Sequence, residues 1–496
     1  MKKNVLLCVI ICLAVGASAQ RIQFQKGKKI NAKVTAQPQL VRFLEGSDYN
    51  RLFVVEPVLN PAKKTVAVKA RICDMNWENQ YEVRLDDTWH NNIASAFRKG
   101  SKLHLLLSYE DNDSVTLRHV ELSAGNLKIL SDNKIINRSF DTDEKGCIKV
   151  ADSPDGMRHC AVLATWNKTT GQSGSVAYLY DDDMNLLWQR DMKWGDVADV
   201  LVTNKGEVVT AALGYSTSGE KESIFRFNVA DENGSHSGQL FDKPVLGNLA
   251  LLNYSEGKVT ATALMSESTR RFSFLGIKDD DKYYTGLYAI CFDIKGNKLV
   301  SSDNHFFTRN EIRTFENSKG NDDVDTGTNF LGVVDYCATP QGGAVLINRS
   351  WVILNHGRTT NFELFTWGML LFQVNMEGKI TSASPLRHAN CRVDWTPVVA
   401  DLFYHNNKLY VVTNESNKES GSYSPNSIAK PPALLRVNSA LAIYTVKPNG
   451  KVSKQMVERD KRAFLGSPLH KCRDDKFYFL SGNYICPTKI CYITIP

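Results

Sequence analysis

A short polar turn followed by a β-branched or aromatic run occurs eight times along this 496-residue chain, and such repetition constrains the fold before any other property does. The runs are Arg51–Glu56, Lys102–Ser108, Arg158–Thr165, Glu207–Leu213, Lys258–Leu264, Ala344–Asn348, Lys408–Thr413 and Lys476–Leu480. Turns such as Pro154-Asp155-Gly156, Asn204-Lys205-Gly206 and Gln341-Gly342-Gly343 precede them, rich in the residues that tolerate positive φ. A second hairpin lies between successive copies. Its pattern is apolar-x-apolar, then D/N-x-x-G, then another short strand, as in CFDIKGNKL, FQVNMEGKI and YTVKPNGKV. Two alternating hairpins make a unit of four antiparallel strands, repeated about every 50 residues except where loops intervene.

Four-stranded antiparallel units in series are the blades of a β-propeller, and the chain resembles that superfamily from about residue 20 to its end. The expected fold is all-β, a single β-propeller of eight four-stranded blades, with seven the alternative if one unit is degenerate. The second hairpin appears seven times against eight copies of the first. The last unit, ending in Lys489–Ile495, lacks an outer partner, whereas Ile22–Phe24 and Lys29–Val34 precede the first blade and belong to no other. The N-terminal strand is therefore expected to close the ring on the last blade, removing an open sheet edge. The one helix expected is short, around Arg309–Glu316. Tyr180–Trp188 (YDDDMNLLW) is similar to pyrroloquinoline-quinone-type repeats, but a single copy does not imply that cofactor, and no cofactor is expected.

Residues 1–19 have the three parts of a secretory signal peptide: Lys2 and Lys3, an apolar run from Val5 to Val15, and Ala17-Ser18-Ala19 at the cleavage site. That run is too short to span a membrane, and no later run approaches the required length. The expected location is extracytoplasmic, periplasmic or secreted, with residues 20–496 forming the propeller. Without the leader, 58 Lys and Arg stand against 53 Asp and Glu. A net +5 over that length gives no case for nucleic acid. Nine of 11 cysteines remain, an odd and sparse set that suits neither a disulfide scaffold nor a zinc site.

In a four-stranded blade the first-second and third-fourth turns share one face of the disc, and the second-third loops and interblade connections share the other. Here the turns of the first kind are all short. The long segments, notably 267–284, 304–330, 351–362, 384–397 and 414–436, together with Ser131–Gly146, fall on the opposite face, which is the expected working surface. Trp351, His356, Arg358 and Trp367 border one of them, Arg392 and Trp395 lie in another, and Arg270 and Arg271 in a third. Exposed Trp and Arg favour contact with a protein, and aromatic faces also stack on sugars.

Recognisable catalysis is absent: no metal-type histidine pair, no nucleophile elbow and no phosphate-binding loop occurs. His388, Cys391 and Asp394 are the candidates for an acid-base or nucleophile pair, weighed against a plain loop. Asp323, Asp325 and Asn329 space oxygens as calcium loops do, but without the downstream Glu, so an acidic loop is the plainer reading and no metal is expected. The expected function is non-enzymatic binding of a macromolecular partner, protein or glycan, through the long-loop face. The alternatives are a polysaccharide hydrolase or lyase at the channel mouth, and a structural part of an envelope assembly. Finally, a turn centred near residues 153–155 would set Cys147 opposite Cys160, where an oxidising compartment would allow a disulfide.

Overall fold

The computed structural model describes residues 22–29, 42–45, 51–60, 65–74, 79–88, 92–111, 113–195, 197–215, 223–242, 245–266, 284–316, 328, 331–356, 360–392, 400–416, 439–457, 465–472, 475–481 and 489–495. The strands form eight four-stranded antiparallel sheets. Seven are consecutive in sequence, spanning 42–88, 92–139, 144–192, 199–242, 245–306, 331–392 and 400–456, and are numbered here as blades 1 to 7. In blade 8, strands His470–Lys471, Lys476–Ser481 and Lys489–Thr494 take their fourth member from the N-terminus, Gln23–Lys29. Gln23 pairs with Thr494, Gln25 with Tyr492 and Lys29 with Lys489. The chain is an eight-bladed β-propeller closed by its N-terminal strand.

Position within the blade explains the sequence pattern. The middle strands lie between neighbouring blades and are buried on both faces, so they read as unbroken apolar runs. Leu103–Leu107, Val259–Met265 and Tyr284–Phe292 are buried at every position. The outer strands keep a wet face and alternate: in Lys298–Phe306 exposed and part-buried residues take turns. Successive first strands touch one another around the axis. The apolar contacts form eight clusters, one at each blade interface. The closing one joins Phe43, Leu52 and Val54 of blade 1 to Tyr478, Leu480, Ile490 and Tyr492 of blade 8.

Three expectations need correction. Cys147 pairs with Ala164, and Cys160 with Ala151, so the two cysteines stand roughly 13 Å apart along the strands. Both are free. The hairpin is as expected but its turn is later: the Ser153 N–H donates to the Arg158 carbonyl, Gly156 takes φ +70°, and Asp152 faces His159. Most of Ser131–Gly146 is strand, leaving only 140–143 between blades 2 and 3. Much of 351–362 and 384–397 is also strand, because blade 6 continues beyond the edge of the others.

Removing residues 20–34 strips the outer strand from blade 8, together with the bond from Gln455 Nε2 to the Ile22 carbonyl (3.0 Å). Losing about five ladder bonds of about 1 kcal/mol each should cause aggregation, or lower Tm by about 5–10 °C. A truncated protein that melts like residues 20–496 would show that the strand does not hold the ring.

Candidate functional site

Blade 6 departs from the other seven. Its second and third strands, Gly342–His356 and Thr360–Asn375, have 15 and 16 residues, and its fourth, Ile380–Arg392, has 13. The second strands of blades 2 and 5 have 9 each. The first strand begins at Leu331, opposite Arg349, so the hairpin continues past it to the pair His356 and Thr360. At about 3.3 Å per residue this makes a wing about 20 Å long on the long-loop face, three-stranded at its base. Its sequence supports the pairing: Val352 and Leu354 alternate opposite Leu364 and Phe362.

The helix Arg309–Glu316 packs against the base of this wing. Thr308 caps it reciprocally: the Thr308 N–H donates to Glu311 Oε2 (2.7 Å), and the Glu311 N–H to Thr308 Oγ1 (3.3 Å). Burial pushes the Glu311 carboxyl up, but the bonds from His305 and Thr308 outweigh it and hold the group below its ordinary value. Ile312 and Phe315 enter the core with Phe307 and Phe372. The fit depends on Gly368, where a Cβ would lie 1.8 Å from the Thr314 carbonyl oxygen.

Several candidate contact residues meet on this wing. Trp351 pairs with Phe365, and Phe365 with Cys391. Trp367 pairs with Arg349 and Ala389, Arg392 stands opposite Leu364, and His356 is at the tip. His388 falls in the register shift between Trp367 and Met369, about 10 Å along the strand from Cys391. Arg270, Arg271, Asp323, Asp325, Asn329, Arg358, Asp394 and Trp395 lie outside the described residues. Thr328, within the acidic segment, bridges to Tyr284 of blade 5. Among the described residues no group of three His, Cys, Asp or Glu is placed to hold a metal ion, and no helix is long and apolar enough to cross a membrane.

The structure adds a row of acids on the inner strands that the sequence reading missed. Asp199, Asp335 and Asp401 each stand five residues before the first turn of their blade, within the pattern Val-Ala/Val-Asp. Each accepts a backbone N–H from the following blade: Asp199 from Leu251 (2.8 Å), Asp335 from Leu402 (2.7 Å) and Asp401 from Leu469. The Tyr336 hydroxyl reaches from blade 6 past blade 5 to donate to Asp199 Oδ1 (2.6 Å). Asp335 and Asp401 also hydrogen-bond each other. Burial raises both carboxyls: Asp335 is pushed up to about 6 although its bonds from Leu402, Tyr336 and Asp401 pull it down, and Asp401 goes well above its ordinary value, with the nearby Asp335 charge adding to burial. The pair therefore keeps a proton to higher pH than an ordinary aspartate does. Contact of this kind is not the separation of about 5–10 Å found between the two carboxyls of glycoside hydrolases.

Acids raised in the folded state favour it when protonated. Their contribution is present below the unfolded value of 3.8 and is lost as pH rises through about 6 and above. Asp401→Asn imitates the protonated partner without its charge. Tm measured from pH 4 to 8 should fall further for the native protein than for Asp401→Asn. Parallel Tm curves would mean that Asp401 is not raised in the folded protein.

No family model and no curated protein matches the sequence. Similar solved structures include the WD40 domain of SCAP from fission yeast, at 7% identity and TM-score 0.37, covering 95% of this chain and 98% of that one. A mutant of the Synechocystis apocarotenoid oxygenase has 10% identity and TM-score 0.36 over 86% and 88%. The Dos1 propeller has 8% identity and TM-score 0.35 over 95% and 94%. At these values the likenesses carry no argument about activity or partner.

Proposed function

We propose that this protein is an exported β-propeller that binds a macromolecular partner, with protein preferred to glycan, through its long-loop face, and that the wing of blade 6 is the principal contact element. The wing is the observation that carries this. Three strands run on beyond the length of the other blades, and Gly368 and the helix Arg309–Glu316 brace the base of the extension. A rigid projecting sheet presents contact residues with little ordering cost on binding. Among the described residues, 350–356 of the second strand have no neighbour on the side of the first strand, an edge suited to pairing with an extended peptide. Export rests on the leader, which gives the envelope or the medium as the compartment where the partner is met.

Both parts can be tested. Replacing 351–366 with a Gly-Ser-Gly turn should leave Tm within a few degrees, because the blade below keeps its pairing, yet abolish capture of a cross-linked partner from the envelope fraction. Capture of the same partner by trimmed and intact protein would move the contact elsewhere. For export, N-terminal sequencing of the protein made in its native cell should begin at Gln20, and recovery of a cytoplasmic chain starting at Met1 would sink the assignment.

A further inference from the structure

On the face opposite the wing, the short turns of blades 6 and 7 enclose a cavity of about 230 Å³. Its polar lining includes Thr339, Gln341, Gln373, Thr381, Asn407 and Lys408, and no Asp or Glu contributes to it. Leu409, Val446 and Pro448 form an apolar wall. The polar groups are already oriented. Tyr404 Oη donates to Asn407 Oδ1 (2.9 Å), which turns the Asn407 amide nitrogen to donate elsewhere. Gln373 Nε2 donates to Ser382 Oγ (2.8 Å), leaving its carbonyl oxygen as an acceptor. Lys408 has no acidic partner among the described residues, nor have Lys379 and Lys447 in the adjoining turns. Glu377 is the one acid in those four turns.

We infer that this cavity binds an acidic monosaccharide, a uronate, either free or as the end of a polysaccharide. Lys408 is an uncompensated cation beside a partly apolar cleft, which favours one negative charge. A bare carboxylate would use donors alone. This lining offers donors in Lys408 and Asn407, an acceptor in Gln373, and amide and hydroxyl groups of both kinds in Gln341 and Thr339, matching a ring that bears hydroxyls as well as a carboxylate. The apolar wall suits the C–H face of such a ring. The size fits too: the cavity is smaller than the roughly 300–1,000 Å³ of drug-sized sites, enough for one ring. The site is separate from the wing, and neither depends on the other.

Titration calorimetry on residues 20–496 with galacturonate and glucuronate should give saturable binding by at least one of them, with Kd around 1 mM. Galactose and glutarate should each bind about tenfold more weakly, the first for want of the carboxylate and the second for want of the ring. Lys408→Gln should erase the preference for the acid sugar over the neutral one, and Thr381→Trp should block the cavity, each with Tm unchanged. The inference is overturned if neither uronate binds, if glutarate binds as well as the better uronate, or if binding survives both substitutions. In the glutarate case the site is one for acidic side chains.

Discussion

Every blade of this protein has middle strands that are apolar on both faces, and no single blade can bury them. Phe225, Phe227 and Val229 of blade 4 are covered only because Val259, Ala261, Ile290 and Phe292 of blade 5 lie against them. The same holds at the other seven interfaces, so the sheets are stable only as a closed ring. Closure has two components: the strand Gln23–Lys29 ties the chain ends together, and the cluster around Phe43 and Tyr492 buries the last interface.

A closed ring leaves one polar problem at its centre. The first strand of each blade pairs on one side only, and its other edge faces the axis, where backbone N–H groups have no ladder partner. Asp199, Asp335 and Asp401 supply acceptors from the preceding blade. The acids thereby tie neighbouring blades together, and the cost is two buried carboxyls, Asp335 and Asp401, both raised above their ordinary value. A carboxyl raised by burial is a common mark of catalysis. Here the acceptor duty of each acid supplies a structural reason for its placement.

The ring was legible in sequence because each blade repeats the same two signals, an unbroken buried run and a turn with residues fit for positive φ. Where a turn could be centred in two ways, register was not. The turn around Gly156 has its middle one or two residues later than the pattern suggested, and that shift separated Cys147 from Cys160. The wing was legible in principle, since Val352 and Leu354 alternate correctly for a strand, but its Trp, His and Arg content reads as loop. Contacts far apart in sequence left no trace. His119, His104, Phe97 and His159 stack in a ladder, with His104 and Phe97 rings 4.9 Å apart and Phe97 and His159 3.6 Å apart, ending on Asp152. Burial pushes His104 down to about 4 and His119 below its ordinary value. The sequence alone showed only scattered histidines.

The two faces reach rigidity by different routes, and this bears on what each can recognise. On the short-turn face it comes from the turns. Asn407 and Gly378 hold positive φ, and a Cβ on Gly378 would lie 2.6 Å from the Cys291 nitrogen of blade 5. Groups anchored on such turns keep their positions before a ligand arrives, which suits a small, oriented ligand in a small cavity. On the other face the chain gains reach, and the rigidity comes from pairing and from the braced base of the wing. A long paired sheet presents a backbone edge and a broad surface, and a small molecule can engage little of either. The geometry thus gives the two faces different shapes to offer: a small cavity with preset polar groups on one, and a long sheet edge on the other.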